Sequence, residues 1–309
     1  MSSYLIDLGG TDIKVGLAED GALVSSAQTA STGSRADLDV VADLLRGLER
    51  GEAGSAIGRV GVAVPGVVDR GTNRMLDAQG KYAFALDFDF DGWTRETFGV
   101  AAVVENDARA ALVGEIVAGS ARGESDAVVV VLGTGIGTSA MVAGELVRGA
   151  HDHAGILGGH LTVELDGPPC PCGNRGCAEA VASTWALDRD VRASEPRPGS
   201  EWHRRVSRGR VGLRDLFETA EDPLSRRLLE RYLRAWGAAV VSLCHAYDPD
   251  VVILSGGVLR AADVILPTLS VYVEQHLWRS AHRPRIVTAR DPNLSVLRGL
   301  AALTTLPTE

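Results

Sequence analysis

YLIDLGGTDIKVGLAEDGALVSSAQT, residues 4–29, passes from one short β-rich run through Gly9-Gly10-Thr11 into a second run and then a third. Apolar runs broken by glycine and polar turns read as antiparallel hairpin strands. The plan returns at DAVVVVLGTGIGTSAMVAGELV, residues 126–147, where an apolar run, a glycine turn and another β run follow one another again. A duplicated βββαβα unit accounts for the echo. After the first hairpin, ADLDVVADLLRGLER (36–50) spaces its apolar residues at helical intervals, RVGVAVPG (59–66) is a strand closed by Pro65-Gly66, and the strand VAAVVEN (100–106) runs into the helix DARAALVGEIVAG. After the second come a surface loop or short helix over 192–210, a long helix near 223–247, the strand DVVILSGGV (250–258), a helix, the strand RIVTAR and a closing helix near 293–304. Strands alternating with helices give an α/β fold, and two such units face to face leave a cleft for a ligand. The expected domains are 1–112 and a larger 113–292, with the segment 293–309 free to return and pack on the first.

With 309 residues and 45% hydrophobic content, the chain can bury real cores without disulfides. No basic leader followed by an apolar run opens it, and no stretch of roughly 18 uncharged apolar residues is present, so a soluble cytoplasmic protein without a membrane role is expected. A formal net charge of −9 argues against nucleic acid as partner. Only Lys14 and Lys81 are lysines, which makes Lys14 the lysine beside the first glycine turn.

DLGGT (7–11) and GTGIGT (133–138) each offer glycine-lined amides beside a hydroxyl, a nest for anionic oxygens. Neither matches the phosphate loop ending in Gly-Lys-Ser/Thr, nor the dinucleotide fingerprint, and singly each is a tight hairpin turn. Two in the same setting point to a shared phosphate site. Asp7 adds a carboxylate suited to a Mg²⁺ shell. LSGGV (254–258) is a third turn, where Gly256 and Gly257 let a nucleotide base approach the backbone. END (105–107) ends a strand and starts a helix at the carboxyl edge of a sheet, where ligands of open α/β sheets bind. Asn106 or Asp107 serves there as helix cap, and Asp107 as a base accepting a sugar hydroxyl's proton, an effect of about 10²- to 10⁴-fold.

CPCGNRGC (170–177) holds three of the four cysteines as C-x-C-x4-C, ten residues after His160. In a reducing compartment the pattern favours a metal over disulfides. Three thiolates and one imidazole make a closed tetrahedral Zn²⁺ site, which organises rather than reacts. His151 and His153 compete for the place of His160, whereas Cys244, in an apolar helix, reads as a core thiol.

Taken together, DLGGTDIKVGL, VAVPG, ENDARAAL, LGTGIGT, GH…CPCGNRGCAEA and LSGGV resemble the ROK family of bacterial sugar kinases and repressors, in the actin and hexokinase superfamily. The resemblance spans nearly the whole chain and implies two actin-like, ribonuclease H-like domains. It implies ATP and Mg²⁺ held by Gly9, Gly10, Thr11, Gly133, Thr134 and Gly135, with adenosine near Gly256 and Gly257. Lys14 joins the expected nucleotide-side residues, and Gly66 the substrate-side ones. Asn106 and Asp107 are then the sugar contacts, with Asp107 as base; His160, Cys170, Cys172 and Cys177 match the zinc ligands, and Glu179 a sugar-binding glutamate. A sugar or sugar-like substrate and a homodimer or homotetramer are implied as well.

The chain departs from the family twice. Family kinases acting on glucose or N-acyl relatives carry Gly-Glu-Ile/Leu-Gly-His, but here the stretch is ILGGH and Leu157 replaces the glutamate. Losing that acceptor leaves a hydroxyl unpaired, at about 1–3 kcal/mol, so plain glucose is expected to be a poor substrate. The usual Asn-Leu turn after VAVPG is also missing; Gln79 and Lys81 are the nearest polar residues in DAQGKYAF. The expected activity is an ATP-dependent kinase acting on the primary hydroxyl of a hexose-like substrate. Its competitor is a sugar sensor of the same family, although a first strand opening near residue 4 is expected to leave no room for a preceding DNA-binding module.

Overall fold

The computed structural model describes residues 1–48, 56–77, 82–86, 88–194, 196–209 and 211–306. The chain divides into two compact units, one of 1–124, 146–156 and 289–309, the other of 125–145 and 157–288.

The first unit is built on β1 (Ser2–Leu8), β2 (Asp12–Glu19), β3 (Ala22–Ala30), α1 (Asp37–Leu48) and β4 (Ile57–Val64), followed by the small hairpin β5 (Val67–Asp69) and β6 (Arg74–Asp77), then α2 (Phe90–Phe98), β7 (Ala102–Asn106) and α3 (Asp107–Ala118). Its sheet runs β3-β2-β1-β4-β7, with β1–β2 and β2–β3 antiparallel and β1, β4 and β7 parallel. Central β1 is buried at every position, as a strand covered on both faces must be, while edge strand β3 alternates exposed and half-buried residues. The parallel register pairs Asp7 with Ala63, Ala63 with Glu105 and Val64 with Asn106. The Gly9-Gly10-Thr11 turn, Pro65-Gly66 and Asn106-Asp107 therefore leave the sheet at one edge.

The second unit repeats the plan. It has β8 (Ala127–Leu132), β9 (Ile136–Val142), β10 (Glu145–Leu146), then, after a long insertion, α4 (Ala178–Ala182), α5 (Thr184–Arg192), α6 (Glu201–Ser207), α7 (Leu213–Glu218), α8 (Pro223–Tyr247), β11 (Val251–Ser255), α9 (Ala262–His276) and β12 (Arg285–Thr288). The sheet order β10-β9-β8-β11-β12 is that of the first unit, third strand outermost and first strand central. The two turns that echo in sequence thus occupy equivalent places in two mixed sheets. Gly133-Thr134-Gly135 and Gly256-Gly257 emerge together, since Val131 pairs with Ser255 in parallel register.

The last helix, α10 (Ser295–Leu303), lies in the first unit, where Leu297, Leu300 and Ala301 pack with Leu5, Ala63 and Ala110. Within 192–210 the structure places a true helix, α6, because Trp202 is fully buried and anchors it. Apolar burial of so large a ring outweighs the arginine-rich composition around it. Among the described residues no helix is long and apolar enough to cross a membrane.

Candidate active site and zinc centre

In the first unit, α3 begins at the residue after β7, so the strand end and the helix start share one corner. Asn106 caps the helix, its Oδ1 accepting the Arg109 N–H at 3.1 Å. Its Nδ2 donates to the Gly66 carbonyl at 3.0 Å and to Asp107 Oδ1 at 3.1 Å. Asp107 Oδ1 also accepts the Ala108 N–H at 2.8 Å. The half-buried Asp107 carboxylate thus takes two hydrogen bonds on Oδ1 at a helix N-terminus, where the unpaired amides favour negative charge. Gly66 is needed for close approach: a Cβ there would lie 1.9 Å from the Asp77 carbonyl oxygen.

Along the same edge, Gly10 and Thr11 are exposed and Gly9 half-buried. Asp7, just below them, is buried and pairs with Lys14 at 3.4 Å; burial pushes its carboxyl up and the Lys14 charge opposes that. The register pairs these two residues across the hairpin, so Lys14 is engaged inside the unit. Gln79 and Lys81 lie outside the described residues.

Beneath Asn106 the structure shows a network that sequence reasoning missed. Glu105 is buried, bonds the Asn106 N–H at 2.8 Å, lies 3.6 Å from Arg109 and pairs with Arg148. Arg109, wholly buried in α3, donates to the carbonyls of Asp152 at 2.8 Å, Ala154 at 3.0 Å and Val147 at 3.4 Å. Burial lowers its pKa from the usual value, with Glu105 the main opposing charge. Arg109 and Glu115 lie in a run buried without break from Ala108 to Glu115, and a charged residue inside so apolar a helix, DARAALVGEIVA, is the signal that could have pointed to it.

In the second unit, Gly133, Thr134 and Gly135 form a tight turn in which the Gly133 N–H reaches the Gly135 carbonyl at 3.0 Å. Glu179, on α4, lies over it: one carboxylate oxygen accepts the Ile136 N–H at 2.8 Å and the other the Trp185 indole N–H at 3.3 Å. Thr184 Oγ1 donates to the Gly133 carbonyl at 3.0 Å. Gly256 adopts φ +100°, and a Cβ there would come 2.1 Å from the Leu132 carbonyl oxygen, so only glycine brings β11's end against β8's end.

His160, Cys170, Cys172 and Cys177 place one donor atom each within 4.8 Å of one another. Cys170 Sγ is 3.5 Å from His160 Nδ1 and Cys172 Sγ is 3.7 Å from Cys177 Sγ. Tetrahedral zinc with Zn–S of about 2.3 Å and Zn–N of about 2.0 Å calls for separations of about 3.5 Å and 3.8 Å, so the donor set fits the ion. Backbone bonds hold the loop: Ala178 N–H to the Leu161 carbonyl, Val163 N–H to Gly176, and Cys170 N–H to Asn174. His160, rather than His151 or His153, is the imidazole in this group. Cys244 is buried in α8, and burial pushes its thiol up to about 12, in keeping with a core residue. Leu157 precedes a 3-10 turn at Gly158–His160 and is 37% exposed, so it is not a core leucine.

The ROK family model matches residues 3–306. The chain belongs to the ROK family. This family member is 30% identical over 280 residues to a glucokinase from Thermotoga maritima, covering 89% of the chain and 88% of the relative. A xylose repressor from Bacillus subtilis matches at 25% over 221 residues, 71% of the chain but only 53% of the repressor. Among solved structures, a ROK hexokinase from Thermus thermophilus superposes with a TM-score of 0.79 at 31% identity, covering 98% of this chain and 97% of that one. A ROK glucokinase from Streptomyces griseus in complex with glucose and AMPPNP gives 0.76 at 25% identity, covering 98% and 99%. Both similarities extend over the two α/β units, and the family's His/Cys₃ zinc-type cluster is present here.

Proposed function

We propose that this ROK protein is an ATP-dependent kinase that phosphorylates a primary, 6-type hydroxyl of a hexose or hexose-like substrate. The observation that carries the reading is Asp107, a half-buried carboxylate fixed through Oδ1 at the start of α3, on the same sheet edge as the exposed Gly10 and Thr11. The similarity to a structure holding glucose and AMPPNP supports both ligand classes.

Gly9, Gly10, Thr11, Gly133, Thr134 and Gly135 would hold the phosphates by their amides, and Gly256 and Gly257 the adenosine. Asp7 fits a magnesium shell as a single carboxylate, because Mg²⁺ keeps several waters and phosphate oxygens for itself. Bound Mg-ATP supplies a transferable phosphoryl group whose developing charge is stabilised by amides and metal. Asp107 takes the proton of the attacking hydroxyl, and Asn106 keeps that carboxylate oriented. His160 and Glu179, at the two ends of the zinc loop, shape the sugar pocket, and the zinc serves as a clamp with no part in the proton transfer. Leu157, where family kinases for glucose carry a glutamate, selects a sugar that is less polar or substituted at that position, such as an amino sugar, a glycoside or a cyclitol.

A sugar-binding sensor with weak or no kinase activity is the second reading, favoured by Leu157 and by the xylose repressors among the relatives. ADP release from Mg-ATP, followed across hexoses, amino sugars, N-acyl sugars and cyclitols, separates the two. Turnover dependent on one of these establishes the kinase. Binding of a sugar by the folded, zinc-loaded protein with no turnover on any of them establishes the sensor.

A further inference from the structure

The Gly9-Gly10 peptide has a partner that neither the family motifs nor the site residues above include. Tyr82, from the segment after β6, is 2% exposed and donates its hydroxyl proton to the Gly9 carbonyl at 2.8 Å. Its oxygen lies 2.5 Å from Ser31 Oγ, at the end of β3. A phenol has one proton and the carbonyl can only accept, so with that proton on the Gly9 carbonyl Ser31 is the donor to Tyr82, the much nearer of its two acceptors, Asp37 Oδ2 lying at 3.4 Å. Ser31 Oγ in turn accepts the Gly33 N–H at 3.1 Å. Asp37, at the start of α1, accepts the N–H groups of Thr32 and Gly33, both at 3.0 Å, and fixes the segment that carries Ser31. The Ser31 N–H also holds the Thr11 carbonyl at 2.9 Å.

We infer that Tyr82 is a positioning residue for phosphoryl transfer: by holding the Gly9 carbonyl it turns the Gly10 N–H outward, toward the anion that the turn is to bind. In a trans peptide the carbonyl and the following N–H point in opposite directions, and the described residues include no cis bond. With the Gly9 oxygen drawn toward the buried phenol, the Gly10 amide faces away from it, and Gly10 is exposed. The Ser31 bond does the same for the Thr11–Asp12 peptide. Two carbonyls of one turn are thereby drawn to one side, which leaves amides on the other, the arrangement an anion nest requires. Tyr82 reaches this position through a left-handed backbone, φ +49°, which a bulky residue adopts only where its surroundings hold it there. Its ring packs edge-on against Phe84, 5.9 Å between centroids, a contact independent of the hydroxyl.

The inference rests on the reading of Gly9–Thr11 as a phosphate turn, and the test keeps the two apart. Tyr82→Phe retains the ring and removes only the hydroxyl; Ser31→Ala is the second variant, should the first fold poorly. Both are compared with the unaltered full chain for kcat, for KM of Mg-ATP and of the accepted sugar, and for equilibrium binding of Mg-AMPPNP, which needs no turnover. The expected result for Tyr82→Phe is about a fivefold loss in AMPPNP affinity or in kcat, the scale of one hydrogen bond, with the sugar KM within about twofold. Ser31→Ala moves the same quantities in the same direction by less. Unchanged AMPPNP affinity and kcat in a Tyr82→Phe protein that merely melts lower would overturn the inference and leave the kinase reading standing. Failure of the unaltered, zinc-loaded protein to bind AMPPNP would overturn both.

Discussion

Replacing Asp107 by asparagine separates the base from the scaffold. The two hydrogen bonds at Asp107 Oδ1, from Asn106 Nδ2 at 3.1 Å and from the Ala108 N–H at 2.8 Å, can be accepted equally by a carboxamide oxygen. The cap itself, Asn106 Oδ1 with the Arg109 N–H, and the link to the Gly66 carbonyl do not involve Asp107. The Asn variant should therefore keep the corner intact and lose only proton affinity. A positioned base contributes about 10²- to 10⁴-fold, so kcat should fall by that factor, or roughly 3–5 kcal/mol in the barrier. The KM of the sugar should stay within about threefold, because the lost interaction belongs to the transition state. Asp107→Ala removes the Oδ1 bonds and the first-turn charge as well, and should lower stability by about 1 kcal/mol more. The assay is ADP release on the sugar that turns over fastest, beside a thermal melt of each variant. An Asn variant that is folded, zinc-loaded and within tenfold of the original kcat would refute the assignment of Asp107 as base.

Further expectations follow from the other groups. Purified protein should carry one zinc per chain by elemental analysis, and Cys177→Ser should lower both zinc content and sugar affinity; full activity and an unchanged melt after complete zinc removal would sink the clamp. Arg109→Met leaves buried Glu105 with Arg148 alone and strips three carbonyls of their donor, so breaking this pair should cost about 3–5 kcal/mol. That predicts a melting temperature lower by about 6–20 °C, and a shift under 2 °C would contradict it. Leu157→Glu restores the acceptor that family glucose kinases carry, and should raise kcat/KM on glucose by about 5- to 150-fold, the equivalent of 1–3 kcal/mol. A glucose activity indifferent to this change would remove Leu157 from the sugar pocket.

The repeated hairpin was legible because alternation of apolar runs and glycine turns is a local pattern, set by steric allowance and burial on one face. From that echo the α/β class and the two-sheet plan follow, and the identical strand orders of the two sheets bear this out. The sulfur cluster was legible for a similar reason: three cysteines within eight residues leave few ways to arrange thiolates. The choice of His160 over His151 and His153 was less secure, and it was decided by the chain path that brings residue 160 back beside residue 170. The helix at 201–207 was only one of two options, because a single buried tryptophan among arginines carries no periodic signal.

What sequence by itself determined here is whatever is local: strands, turns, a cap at Asn106 or Asp107, and the sulfur cluster. What only the tertiary structure decided is who meets whom across long separations. Glu105 meets Arg148 from 43 residues away, Glu179 meets Ile136 from 43, and Tyr82 meets Gly9 from 73. None of these pairs has a spacing that a helix or strand period would reveal. They exist because a buried donor or acceptor must find a partner once the chain has collapsed, and the partner is whichever group the packed fold delivers.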